Sequence, residues 1–424
     1  MTKYRKLAAV LFAGSLVLAA CGDDDDDDTS ATTAPAATEA PATEAPSTEA
    51  PSTEAPATEA PSTEAPSSGE ASSSAEASSS SEATADSGMA AAQANVDKYS
   101  EPDGTIGVTI PLTGVPEKKT IAWMECDVPT CAAYLTPGFK GATEALGWDL
   151  KIIPMKSTDP GPAIQQAIDQ GVDYIASTGL ATAQYQAQID AAHDAGIPVL
   201  SCFGTDDPSP EGVQMQCGDE AFVSKTGPLM ADWGIVDSGG AMNVLVVSIP
   251  DFPVLKVETD AFIDQLETNC PDCTYEELNV TLDDLIGGRV PAAVVSKVQA
   301  NSDLNYIFYS FGDLPGGVTS ALQTAGLFDQ VKQYGQDFST IDLQEIVDGT
   351  MGSWSADPKG YAGWLMVDAA ARLSLGMTLD EERDAAALPT VIVADPAFAQ
   401  EIIDAGGDWF PPGADEAFKT LWGV

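Results

Sequence analysis

The stretch AIQQAIDQGVDYIASTGLATAQYQAQIDAAHDAGIPVLSC, residues 163–202, sets the fold class. Residues 163–170 and 184–195 are amphipathic and of helix length, and each is followed by a short apolar run, 174–177 and 198–202. A helix followed by a short apolar strand, repeated, is the signature of a parallel sheet covered by helices. Upstream the alternation continues, with strands expected at 120–124 and 150–154 and a helix at 134–146. A second series begins after Gly239-Gly240, with strands expected at 243–248, 275–280, 306–310, 331–334 and 352–355. Its helices are expected at 257–268, 290–299, 317–325 and 361–375. Two such series imply an α/β protein of two Rossmann-like lobes. Ligands of open parallel sheets sit beyond the carboxyl ends of the strands, so the two lobes would present a cleft lined by strand-end loops.

Composition narrows the function. The chain has 424 residues, 44% of them hydrophobic, enough for two or three cores. Its 65 acidic residues against 18 Lys and Arg give a formal net charge of -47. Nucleic acid and anionic membrane surfaces both require clustered positive charge, so neither is expected as the main partner. The single histidine, His193, stands just before Gly196 and reads as a solvated residue at a helix C-terminus. Histidine triads and multi-histidine metal sites are thereby disfavoured, and no metal or cofactor is expected.

The N-terminus carries an export signature. Lys3, Arg5 and Lys6 precede the apolar run 7–18, which is too short to span a membrane comfortably. Residues 1–20 are read as a signal peptide. The segment ends in Leu18-Ala19-Ala20-Cys21, which resembles the bacterial lipobox and implies lipidation of Cys21. The alternative is an ordinary signal with a chance cysteine. Asp23 to Asp28 form an unbroken acidic run, and Thr-Glu-Ala-Pro recurs every five residues from Thr38 to Pro66. Such composition cannot bury enough apolar surface to offset its ordering entropy, so 21–103 is read as a disordered tether. The acidic run is taken as a solvated stalk base, with a cation site as its rival. Six cysteines remain beyond Cys21, and their order suggests the neighbour pairs Cys126–Cys131, Cys202–Cys217 and Cys270–Cys273. Chain entropy assigns roughly 2 kcal/mol to each short ring and about 3 kcal/mol to the middle one. A metal or redox site at Cys270-Pro271-Asp272-Cys273 is the rival reading.

Three segments in the body carry a family resemblance: Lys119-Thr120-Ile121-Ala122-Trp123, Asp169-Gln170-Gly171-Val172-Asp173-Tyr174-Ile175 and Ala195-Gly196-Ile197-Pro198-Val199. Gly335-Gln336-Asp337, Asp357-Pro358, Gly363 and Val367-Asp368-Ala369-Ala370 follow in the same order. Together they resemble the type I periplasmic substrate-binding proteins, the ribose-binding group of ABC transporters. The resemblance implies an extracytoplasmic receptor without enzymatic activity, which captures a sugar or sugar-like ligand and delivers it to ABC permease subunits. With a lipid anchor on Cys21 it would sit on the extracytoplasmic face of the cell membrane. The lobes are expected as 104–236 with about 349–388, and 237–348 with about 389–424. Hinges are expected near 237–240 and 348–349. Trp409, Phe410 and Trp422 are expected to pack against a lobe.

Sugar capture combines an aromatic face with charged or amide groups that bond hydroxyls. Strand-end positions supply Glu125, Asp127, Tyr134, Phe203, Thr205 and Asp206 from the first lobe. The second supplies Asp251, Phe252, Phe311, Asp313, Asp337, Trp354 and Asp357. Structural roles compete at each position, as core aromatics or as aspartate helix caps. Asp337 matches a family position that bonds ligand. The departures are equally informative. Glu258 stands where the family carries a sugar-binding arginine, and Phe311-Gly312 replaces an Asn-Asp pair, with Asp313 one residue late. Cys202-Phe203 replaces an aspartate and Ala356 a glutamine. An acidic, aromatic cleft of this kind suits an apolar, amine-bearing or unusual sugar-like ligand better than an ordinary aldose. A membrane-docking ligand sensor is the alternative role. A hydrolase using a carboxylate pair such as Glu125 and Asp251 is the third. It lacks support, since Ser177-Thr178-Gly179 is no nucleophile elbow and Gly287-Gly288-Arg289 no phosphate loop.

Overall fold

The computed structural model describes residues 87–102, 106–379 and 388–424. The signal segment, Cys21 and the repeats lie outside the described residues.

In the first lobe the strands are β1 (Thr120–Glu125), β2 (Asp149–Pro154), β3 (Tyr174–Thr178), β4 (Val199–Cys202) and β5 (Val213–Cys217). They form one sheet in the order β2-β1-β3-β4-β5, every pair parallel. All five residues of β3 are buried, as expected of a strand covered on both faces. A π-helical turn, Cys131–Leu135, leads into α2 (Thr136–Leu146), and α3 (Gly161–Asp169) and α4 (Gln186–Asp194) complete the crossovers.

The second lobe contains β6 (Asn243–Ser248), β7 (Thr274–Asn279), β8 (Tyr306–Tyr309), β9 (Lys332–Gln336), β10 (Trp354–Ser355) and β11 (Ile392–Val393). Their order is β11-β10-β9-β8-β6-β7, parallel except for β11 against β10. Both sheets reverse direction beside their first strand, between β1 and β3 and between β6 and β8, where doubly wound sheets hold ligands. The lobe's helices are α5 (Glu220–Ser238), α6 (Pro253–Asn269), α7 (Leu282–Ile286), α8 (Val290–Ala300), α9 (Val318–Ala325) and α10 (Thr340–Val347). Helix α11 (Lys359–Ser374) returns to pack on α2, β4 and β5 of the first lobe.

The lobe boundaries differ from those expected. Helix α5 packs on α6, β9 and β10, so the first crossing lies at Gly218-Asp219 rather than near 237–240. Asp219 caps that helix, accepting bonds from the Ala221 and Phe222 backbones. Pro228, Gly227 and Gly234 had hidden α5 in the sequence. Gly227 is there for a packing reason: a Cβ on it would stand 2.4 Å from the Glu258 carbonyl oxygen of α6. The return crossing is 356–358, after β10, rather than 348–349.

Residues 87–98, read as the end of the tether, form a helix, α1. Ala92 is buried in the second lobe's core beside Leu229 and Phe262, and Asn95 Nδ2 donates to Asp232 Oδ2 at 2.7 Å. The C-terminal segment divides between lobes. Helix Pro396–Asp404 packs on α10, whereas Ala414–Trp422 packs on α2 and α11 of the first lobe. There Trp422 stacks on Trp364 at 5.4 Å and donates to Asp368 at 2.8 Å, and Trp409 is buried. The three cysteine pairs are disulfides as the order of the cysteines suggested, Cys270–Cys273 included. Among the described residues no helix is long and apolar enough to cross a membrane.

Candidate functional site

The strand-end loops of both sheets meet around a cavity between the lobes. Its volume is about 70 Å³, measured to the centres of water-sized spheres. The first lobe contributes the loop after β1, whose disulfide Cys126–Cys131 closes a short ring, and Thr178-Gly179 at the end of β3. Phe203 follows β4, which Cys202–Cys217 staples to β5. The second lobe contributes Phe252 and Leu255 after β6, Phe311 after β8, and Gln336-Asp337 at the end of β9. Asp357 and Lys359 come from the return crossing. Among the described residues, only Phe203 (φ 58°) and Asp337 (φ 63°) adopt positive φ without being glycine. Both line the cavity, one from each lobe. Strain of this kind persists where the surrounding structure over-determines a functional geometry.

The polar part of the wall lies on the second lobe's side. Lys359, 3% exposed, pairs with Asp337, and its Nζ donates to the Phe338 carbonyl at 3.1 Å. The ammonium also lies 5.1 Å from the Tyr134 ring centre and 5.6 Å from that of Phe338. Burial opposes its charge, but Asp337, Asp408 and Asp357 hold the lysine above its ordinary range. Burial raises the Asp337 carboxyl while Lys359 draws it back. Asp408 accepts a bond from the Gly360 backbone at 2.8 Å, and burial pushes its carboxyl up to about 6. Asp357 and Gln336, 5% and 1% exposed, each present an oxygen to which nothing donates. Beneath α5, Glu258 is fully buried with neither oxygen bonded. Burial and the nearby Asp357 and Asp337 raise its carboxyl well above the ordinary value.

A larger outer groove of about 510 Å³ shares Val128 and Thr130 with the cavity. Hydrogen bonds bridge the lobes along it. The Tyr134 hydroxyl accepts from the Thr340 backbone at 2.6 Å and pairs with the Thr340 hydroxyl at 2.8 Å. Thr130 donates to Asp313 from its hydroxyl at 3.1 Å and its backbone at 3.4 Å.

Of the residues singled out in the sequence, Phe203, Phe252, Phe311, Asp337 and Asp357 line the cavity together. Tyr134 and Asp313 instead form the bridges along the outer groove. Asp127 also lines that groove, and the others are elsewhere, for identifiable reasons. Trp354 is core: it is fully buried, stacked on Tyr309 at 6.3 Å, its Nε1 donating to Met351 Sδ at 3.2 Å. Glu125 accepts from Thr136 at 2.5 Å, which ties β1 to α2. Asp127 clasps Ser157 (2.7 Å), Asp206 the Thr182 backbone (2.9 Å) and Asp251 the Leu282 backbone (2.6 Å). Neither Glu125 nor Asp251, the carboxylates weighed for hydrolysis, lines the cavity. Sequence reasoning missed Lys359 and Gln336. The available signal for Lys359 was a lysine two residues beyond Asp357 in a chain with only 18 basic residues.

A cavity lined by the strand ends of two α/β lobes, joined by crossing segments, defines a cleft-type, two-lobed binding protein. Residues 127–377 match the periplasmic binding protein domain, and the chain belongs to that family. Among solved structures, an ABC sugar transporter subunit from Rhodobacter sphaeroides is 23% identical, with a TM-score of 0.55, covering 65% of this chain and 98% of that one. A 5-methylthioribose transporter solute-binding protein from Thermotoga lettingae, in complex with 5-methylthioribose, is 19% identical. Its TM-score is 0.58, and the match covers 74% of this chain and 99% of that one. An Agrobacterium vitis solute-binding protein bound to α-D-tagatopyranose is 17% identical, TM-score 0.59, covering 69% and 100%. No relative was found among curated proteins.

Proposed function

We propose that the protein is the capture subunit of an ABC importer: an extracytoplasmic lipoprotein, anchored through Cys21, that encloses a small carbohydrate-like solute between its lobes. The observation that carries this reading is the cavity itself. It is walled by strand ends of both lobes, three phenylalanines together with a group of buried polar residues. The periplasmic-binding domain and the sugars and polyols named in similar structures support the solute class. Parting of the lobes would admit the solute, and closure would present it to permease subunits with no covalent step. Residues 21–86 would serve as the spacer between membrane and lobes.

A thermal-shift panel of pentoses, hexoses, inositols, amino acids and polyamines tests the proposal. A ligand at about one hundred times its Kd adds roughly 2.7 kcal/mol, a rise of a few degrees for a protein of this size. A rise with a sugar or sugar-like compound is the expected result. A rise confined to amino acids would overturn the solute class, and none with any compound would overturn capture.

A further inference from the structure

Resting on that reading, we infer that the solute is cationic, with a protonated nitrogen set against Asp357 and Gln336 and a sparsely hydroxylated body against Phe203, Phe252 and Phe311. The first argument is charge. Among the described residues, Lys359 is the one cationic side chain lining the cavity, and it is already paired with Asp337 and flanked by Asp408. Asp357 is left without a bonded cation, and Glu258 adds a second carboxyl close behind it. Both groups are more than nine-tenths buried.

The second argument is hydrogen bonding. Asp357 Oδ1 and Gln336 Oε1 are buried acceptors with no donor; Gln336 ends β9, and Asp357 lies two residues beyond the adjacent strand β10. An ammonium brings three donors and no acceptor, which is the complement of such a pair. The third argument is the opposite wall. A sugar ring carries hydroxyls all round, but the first lobe offers only Thr130 and Thr178. Their hydroxyls already donate to Asp313 at 3.1 Å and to the Cys202 carbonyl at 3.2 Å. Phe203 and Val128 of that lobe would leave ring hydroxyls there unpaired, whereas an apolar body fits them.

The Asp357 carboxyl is raised by burial and by Asp337, against the pull of Lys359, and Glu258 is raised by burial and by both aspartates. Binding of a cation therefore displaces a proton from this group, and affinity for an amine that stays protonated rises with pH. A neutral solute displaces none.

The test is calorimetric titration of the whole protein with matched pairs: trans-4-aminocyclohexanol against trans-1,4-cyclohexanediol, 3-amino-1,2-propanediol against glycerol, and putrescine against 1,4-butanediol. At least one cationic member is expected to bind ten times more tightly than its neutral partner. Titrations in buffers of different ionisation enthalpy should show proton release for that member. Asp357→Asn, which keeps the side-chain shape, should weaken it at least tenfold and remove the release. Release on the unmodified protein is informative even where the variant fails to fold. Neutral members binding as tightly as their amines, or an amine binding with no proton release, overturns the inference and leaves capture intact. No binding by any member, together with a flat thermal-shift panel, overturns the capture reading itself.

Discussion

Lys359 carries more of the site's electrostatics than any other side chain, because it is nearly inaccessible and faces several carboxyls. Removing one partner of a buried ion pair leaves the other uncompensated, at about 3 to 5 kcal/mol. Lys359→Met is therefore expected to lower unfolding free energy by that amount in a denaturant titration, and adding Asp337→Asn should recover part of it. A loss below about 1 kcal/mol for the single variant would mean that Asp337 is neutral or finds another donor. Asp408 gives the pH dependence a sign. Its carboxyl rises from an ordinary 3.8 to about 6 in the folded protein. The folded state then holds a proton that the unfolded state has released. Its contribution to stability is present below about 3.8 and is lost as pH rises through 6. Glu258 and Asp357 shift the same way, so Tm is expected to fall between pH 5 and pH 8, less steeply in Asp408→Asn. A Tm that climbs over that range would contradict the burial of these acids.

Among the elements, the crossing of α5 over α6 is the tightest constraint, because Gly227 sets a bare backbone against the carbonyl of Glu258. Gly227→Ala forces the helices apart and is expected to cost about 1 to 3 kcal/mol, as overpacking does. Because Glu258 lies at this crossing, the variant should also weaken ligand binding, which a Gly→Ala change on an exposed surface would not do. Helix α1 is the second informative element. Asp232, fully buried, accepts from Asn95 of α1 and from Gln265 and Asn269 of α6. A Cβ on Gly88 would stand 2.2 Å from the Asn269 carbonyl oxygen. Gly88→Val is expected to detach α1, so that hydrogen exchange over 87–98 accelerates while α6 stays protected. Unchanged protection would show that α1 does not depend on this contact. The short repeats upstream offered no hint that chain just before residue 100 docks on the body.

For the molecule as a whole, hydrogen bonds tie one lobe to the other. Among the described residues, Tyr134 with Thr340 and Thr130 with Asp313 bridge the lobes along the outer groove. A typical hydrogen bond contributes about 1 kcal/mol, close to fivefold in an equilibrium constant. Tyr134→Phe is expected to raise the ligand's Kd several-fold and to enlarge the radius of gyration without ligand, measured by X-ray scattering. An unchanged radius and affinity would mean that closure is held by apolar contacts around Phe252 and Phe311 instead. The polar end of the cavity is built from buried residues at the end of β9 and in the return crossing, so substitutions there are expected to affect affinity and stability together.

The alternation of short apolar runs and amphipathic segments, together with the order of the cysteines, determined two α/β lobes and three disulfide pairs. Those signals are local: period and spacing survive in a linear chain. The positions of the crossings were not legible, because α5 is interrupted by Pro228 and by glycines whose purpose appears only against α6. Nor was the division of the candidate residues. Phe203, Phe252, Phe311, Asp337 and Asp357 meet at the cavity. Asp127, Asp206 and Asp251, of the same residue types at similar strand ends, clasp neighbouring loops. Which carboxylate finds a backbone donor and which is left facing a cavity depends on loop conformations set by packing across both lobes. Trp354 joined the core for the same reason, and Lys359 became the site's cation because the return crossing brings it beside Asp337.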